Sequence, residues 1–109
     1  MISIAVVEDD QEYQKQLLQY IEQYGKEHEA QYKITVFQNG MNFLDDYKGD
    51  CDLIFMDIAM PHMDGLETAA ALRKRGDNTC LIFITSMAQY ALKGYEVNAF
   101  DFLVKPLAY

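Results

Sequence analysis

Basic residues, cysteine and long apolar runs are all scarce in this chain, and each scarcity removes a class of protein. Nine Lys and Arg stand against 17 Asp and Glu, a net charge of −8 at pH 7. Gripping a phosphate backbone takes a basic patch, so this segment is expected to make no direct nucleic-acid contact. Docking onto anionic lipid is disfavoured for the same reason. Two cysteines, Cys51 and Cys80, do not make a disulfide framework, and a pair of reduced thiols fits a cytoplasmic protein. The longest purely apolar runs are about five residues, far below the roughly 20 needed to span a bilayer. No charged start leads into a long apolar stretch, so a secretory signal is not expected either. What is present is material for one core. The 109 residues are 50% hydrophobic, with 8 Tyr and 6 Phe, which suits a single domain and argues against disorder.

Apolar runs and helical stripes alternate along the chain. Ile2–Val7 is near-continuously apolar and β-branched and stops at Glu8-Asp9-Asp10, the pattern of a strand buried on both faces. From Gln11 to His28 the period changes: Tyr13, Leu17, Tyr20, Ile21 and Tyr24 are predicted to form the inward stripe of a helix capped by Asp10. A second strand reads Lys33–Phe37, followed by a short helix with Phe43, Leu44 and Tyr47 inward. The third strand, Leu53–Met56, ends on Asp57. Asp64, with Glu67 three residues on, predicts a capping box at the start of a helix that turns Leu66, Ala69, Ala70 and Leu72 inward and stops at Gly76. Leu81–Ile84 ends on Thr85; a helix around Ala88–Tyr95 and a fifth strand, Phe100–Val104, ending on Lys105-Pro106, complete the chain. Such alternation predicts right-handed crossovers and a parallel sheet covered on both faces.

The polar residues fall where these strands end: Glu8-Asp9-Asp10, Asp57, Thr85 and Lys105. In a parallel sheet all carboxyl ends share one edge, where ligands bind at a topological switch point. Taken singly, each residue has an ordinary explanation, since acids cap helices, Thr suits strands and a Lys before Pro is commonly a solvated loop residue. Together on one edge they suggest a site. Carboxylates brought face to face repel unless a cation intervenes, and an all-oxygen set without Cys or paired His suits Mg²⁺, with Mn²⁺ as a substitute, over zinc. His62 lies near in sequence but is a lone loop imidazole. The ammonium of Lys105 and the hydroxyl of Thr85 would complete a receptacle for a phosphoryl group. A carboxylate can itself be a nucleophile, forming an acyl phosphate, so Asp57 is the expected acceptor.

Val6-Val7-Glu8-Asp9-Asp10, Met56-Asp57 with Pro61-His62-Met63-Asp64-Gly65, Ile84-Thr85-Ser86 and Lys105-Pro106, in this order at strand ends, resemble the receiver domain of bacterial two-component response regulators. The resemblance spans residues 2–106. The stretch Tyr90–Pro106 further resembles receivers joined to LytTR-type (LytR/AlgR-like) DNA-binding domains. The fold implied is flavodoxin-like and doubly wound, a five-stranded parallel sheet of order 2-1-3-4-5.

The resemblance implies that Asp57 takes a phosphoryl group from a sensor histidine kinase. Asp9 would ligate Mg²⁺ directly and Glu8 through water, joined by Asp57 and the backbone carbonyl of Ala59; Asp10 would be the helix cap, with Asp9-Asp10 as the alternative acid pair. Lys105 would pair with a phosphoryl oxygen before a cis Pro106, and Thr85 with Phe102 would form the conformational switch, although Phe102 also reads as a plain core aromatic. Ala59 and Met87 are apolar and cannot orient a hydrolytic water, so the aspartyl phosphate is expected to last minutes or more. Receivers carry one more helix after the Lys-Pro, where only Leu107-Ala108-Tyr109 stand. The whole of 1–109 is thus expected to be a receiver lacking its final helix, with the downstream DNA-binding domain outside this chain, and with a homodimer possible through the face that helix would cover. The competing functions are an aspartate-nucleophile phosphatase, whose general acid would fall at Ala59, and a phosphorylation-independent interaction domain.

Overall fold

The computed structural model describes residues 2–58, 60, 63–85 and 101–104, with the backbone alone for 85 and 101–104. The elements follow one another as β1 (Ile2–Val7), α1 (Gln11–Glu27), β2 (Tyr32–Phe37), α2 (Gly40–Asp46), β3 (Leu53–Asp57), α3 (Gly65–Lys74), β4 (Cys80–Thr85) and β5 (Asp101–Val104). All pairings are parallel, and the strands lie side by side in the order β2-β1-β3-β4-β5. The chain therefore steps outward from β1 to β2 and then back across β1 to β3. The crevice beyond the carboxyl ends of β1 and β3 is the switch point. The helix expected around Ala88–Tyr95, the Lys105–Pro106 bond and the question of a final helix lie outside the described residues.

The inner strands carry apolar side chains on both faces because both are covered. On one face Ala5, Val7, Ile54, Met56, Leu81 and Phe83 pack with Phe43 and Tyr47 of the α2 segment and with Ala69 and Leu72 of α3. On the other, Ile4, Val6 and Ile84 pack under Leu17 and Ile21 of α1. The edge strand β2 alternates half-buried and exposed residues from Tyr32 to Val36 and ends on a half-buried Phe37, since Tyr32, Ile34 and Val36 pack into the cluster under α1 while the other face is largely solvated.

Two stripes differ from those predicted. The buried residues of α1 are Gln14, Leu17, Ile21 and Gly25, whereas Tyr24 is 49% exposed and stacks on His28 with ring centroids 4.0 Å apart. Gly25 takes the inward place because the chain returns close by: a Cβ there would lie 2.9 Å from the Ala30 carbonyl oxygen and 3.1 Å from the Tyr32 ring. In α3 Thr68, fully buried, joins Ala69 and Leu72 on the inward face, and Ala70 is exposed. Thr68 Oγ1 satisfies its own polarity by donating to the Asp64 carbonyl at 2.8 Å, so its burial costs little. Both cysteines are free. Burial, then the neighbouring carboxylates of Asp50 and Asp52, push the Cys51 thiol up, which suppresses the reactive thiolate.

Candidate functional site

The residues just past β1 are strung between fixed points. Glu8 is buried, at 4% exposure. Its N–H donates to the Phe37 carbonyl at the end of β2 (3.1 Å), and its own carbonyl accepts from Gln14 Nε2 on α1. Asp10 is the N-cap of α1: its Oδ1 accepts from the N–H groups of Glu12 (2.9 Å) and Tyr13 (3.3 Å), satisfying two otherwise unpaired donors of the first turn. The Asp10 N–H reaches back to Glu8 Oε2 at 3.4 Å. Asp9, between these anchors, is exposed.

β3 delivers Asp57 to the same edge. Asp57 pairs with Ile84 of β4 and is 3% exposed. The Ile58 carbonyl accepts from the N–H of Met60 (3.0 Å) and of Gly65 (2.8 Å), which closes the loop and seats the start of α3 against the end of β3. Glycine at 65 is a matter of space: a Cβ would overlap the Asp57 carbonyl oxygen and lie 2.9 Å from Asp57 C and Ile58 Cα. The predicted capping box is present, with Asp64 Oδ1 accepting from the Glu67 N–H (2.8 Å) and Glu67 Oε1 from the Asp64 N–H (3.3 Å).

Glu8, Asp9 and Asp57 each offer a carboxylate oxygen, and the three lie within 4.8 Å of one another. Asp10 is turned to its capping role, so the acid pair that meets Asp57 is Glu8-Asp9. Two carboxylates at such a separation repel by on the order of 3 kcal/mol at an effective dielectric of about 20, a cost a divalent cation would reverse. The donor set is all oxygen, carboxylate and compact, which fits a hard cation such as Mg²⁺ that completes its shell with water and phosphoryl oxygens.

Thr85 and Val104 sit opposite one another at the ends of β4 and β5, on the edge where Asp57 ends β3, and Phe102 lies opposite Phe83, two residues back from that edge. Ala59, His62, Met87 and Lys105 lie outside the described residues. A groove of about 690 Å³ between α1 and β2, lined by Ile21, Gly25, Tyr32 and Ile34 among others, is at the amino-terminal edge of the sheet, away from the acids. Gln14 is not singled out by the sequence. Its one signal is its place on the buried stripe, three residues before Leu17 and seven before Ile21.

A doubly wound parallel sheet with three acids at its switch point defines a class of α/β module suited to binding cations and phosphoryl groups. Residues 4–109 match the family model for the response regulator receiver domain. The chain is 34% identical over 109 residues to the transcriptional regulatory protein PcoR of Escherichia coli, covering 97% of this chain and 46% of PcoR. Its fold superposes on TrrA of Thermotoga maritima, solved in complex with Mg²⁺-BeF, with a TM-score of 0.82 and 29% identity over 98% of this chain and 89% of that one. It also matches DrrB, a Thermotoga maritima OmpR/PhoB homolog, with a TM-score of 0.80 and 28% identity over 98% of this chain and 46% of DrrB. The chain belongs to the receiver domains of two-component response regulators. It spans less than half the length of the full-length regulators it matches in sequence. Among the described residues no helix is long and apolar enough to cross a membrane.

Proposed function

We propose that Asp57 is the phosphoacceptor of this receiver and that Glu8, Asp9 and Asp57 hold the Mg²⁺ that phosphoryl transfer needs. The observation that carries this is the meeting of the three carboxylates within 4.8 Å, at a strand end that Gly65 and the Ile58 carbonyl keep fixed. An Asp57 oxygen attacks the phosphorus of a phosphohistidine on a sensor kinase. A new O–P bond forms as the P–N bond breaks, and the imidazole leaves with the bonding pair and is protonated. When bound, the cation neutralises charge on the phosphoryl oxygens. Glu8, buried at the end of β1, is held by the hydrogen bonds of its own N–H and carbonyl; Asp9 is the exposed acid of the three.

The resemblance adds the remaining roles: the Ala59 carbonyl as a ligand, Lys105 on a phosphoryl oxygen, and Thr85 with Phe102 as the switch. The domain then acts as a signalling module, with its own slow dephosphorylation as the sole further chemistry, in the cytoplasm. Residues 1–109 form the receiver of a longer regulator whose DNA-binding output is of LytTR type, on the strength of Tyr90–Pro106. Relatives about twice as long that are named transcriptional regulators support the output domain.

The test is incubation with Mg²⁺ and acetyl phosphate followed by intact mass. One phosphoryl group is expected on the wild type, none on Asp57→Asn, and none in EDTA. On the wild type it should persist for minutes because Ala59 and Met87 cannot orient water; decay in seconds contradicts that expectation. Folded wild-type protein that takes up no phosphoryl group overturns the proposal in favour of a phosphorylation-independent interaction domain.

A further inference from the structure

Gln14 is a buried polar residue, 8% exposed, on the face of α1 that packs against β1. Its Nε2 donates to the backbone carbonyl of Glu8 in a buried hydrogen bond that links residues six apart. That carbonyl belongs to the peptide plane joining Glu8 to Asp9, so the bond sets the direction in which Asp9 leaves the sheet. The N–H of Glu8 is held independently by Phe37 at 3.1 Å, and Asp10 is held by its cap on α1. Asp9 is the one exposed acid of the cluster. No hydrogen bond of its own side chain appears among those described, and its position rests on these neighbours.

We infer that Gln14 is a positioning residue for the cation site: by holding the Glu8 carbonyl it fixes the Glu8–Asp9 peptide and so aims the Asp9 carboxylate at the Glu8–Asp57 pair. This deepens the proposed function and rests on it. Groups that orient metal ligands from behind change metal affinity by about 10-fold or more when removed. Gln14→Met keeps the length and the burial and removes the donor. Gln14→Ala removes both, and alanine favours the helix.

Mn²⁺ alone is titrated into wild type, both variants and Leu17→Ala, and free Mn²⁺ is followed by electron paramagnetic resonance. Both Gln14 variants should bind about 10-fold more weakly, while Leu17→Ala, a core cavity on the same helix face, loses stability yet binds as the wild type does. In metal-free protein, amide exchange should speed up at Asp9 and Asp10 in the Gln14 variants but not along β3. At saturating Mg²⁺ their rate of phosphorylation by acetyl phosphate should return to within about two-fold of wild type, the loss lying in cation affinity. Gln14→Met, or Gln14→Ala should Gln14→Met fail to fold, binding Mn²⁺ as tightly as the wild type overturns the inference and leaves the proposed function standing. A wild type that binds no Mn²⁺ overturns both.

Discussion

Gly65→Ala will destabilise the protein by about 2–3 kcal/mol, at the upper end of what one inserted methyl usually costs in a packed site. The added carbon meets backbone: it overlaps the Asp57 carbonyl oxygen and presses on Asp57 C and Ile58 Cα. A flexible side chain could move aside, but here either β3 or the first turn of α3 must shift. The hydrogen bond from the Gly65 N–H to the Ile58 carbonyl, 2.8 Å long, is the first contact to stretch. Alanine's better helix propensity recovers less than about 1 kcal/mol of this. Urea unfolding should show a lower midpoint at an unchanged slope. Because the displaced backbone is that of Asp57, cation affinity should fall with it. An unchanged midpoint would mean that α3 does not abut β3 as described.

Phe43→Ala will cost more, about 3–5 kcal/mol, a large share of the roughly 5–15 kcal/mol that holds a domain of this kind folded. Phe43 is fully buried. Its ring meets Phe37 edge-on with centroids 5.3 Å apart and stacks on Tyr47 at 4.7 Å, so truncation removes two aromatic contacts as well as apolar area. The neighbourhood collapses poorly into the space, because Gly40 at the head of the same helix is already packed onto Thr68 of α3. The effect should also reach the acids. Phe37 leans on Phe43, and its carbonyl holds the Glu8 N–H, so the folded fraction of the variant should bind divalent cation more weakly. A loss under about 1.5 kcal/mol would contradict this account of the core, being closer to a volume-conserving swap.

The residues that could be read from the chain are those whose role is decided locally or by the topology of parallel sheets. Asp64 with Glu67, and Asp10 before the helix, satisfy orphan N–H groups within three residues of themselves, so spacing alone reveals them. The convergence of Glu8, Asp9 and Asp57 follows once the strands are known to run parallel, because their carboxyl ends then share an edge. Spacing did not separate Glu8-Asp9 from Asp9-Asp10; the cap hydrogen bonds on Asp10 do. Tyr24 misled because tyrosine suits both a stripe and a surface, and Gly25, which contributes no hydrophobicity, holds the inward place for reasons set by Ala30 and Tyr32. Gln14 and the need for glycine at 65 were illegible, since each depends on a backbone atom brought up by tertiary folding: the Glu8 carbonyl and the Asp57 carbonyl.

The central claim is that one cation site is assembled from the end of β1 and the end of β3. Paramagnetic broadening by substoichiometric Mn²⁺ in an amide-resolved NMR spectrum tests it directly. Residues 8–10, 57–58 and 65 should broaden together at the lowest concentrations, and the acids at the other edge of the sheet, Asp50, Asp52 and Asp77, should stay sharp. Broadening centred on Asp50–Asp52, or on residues 8–10 without 57–58, would contradict it.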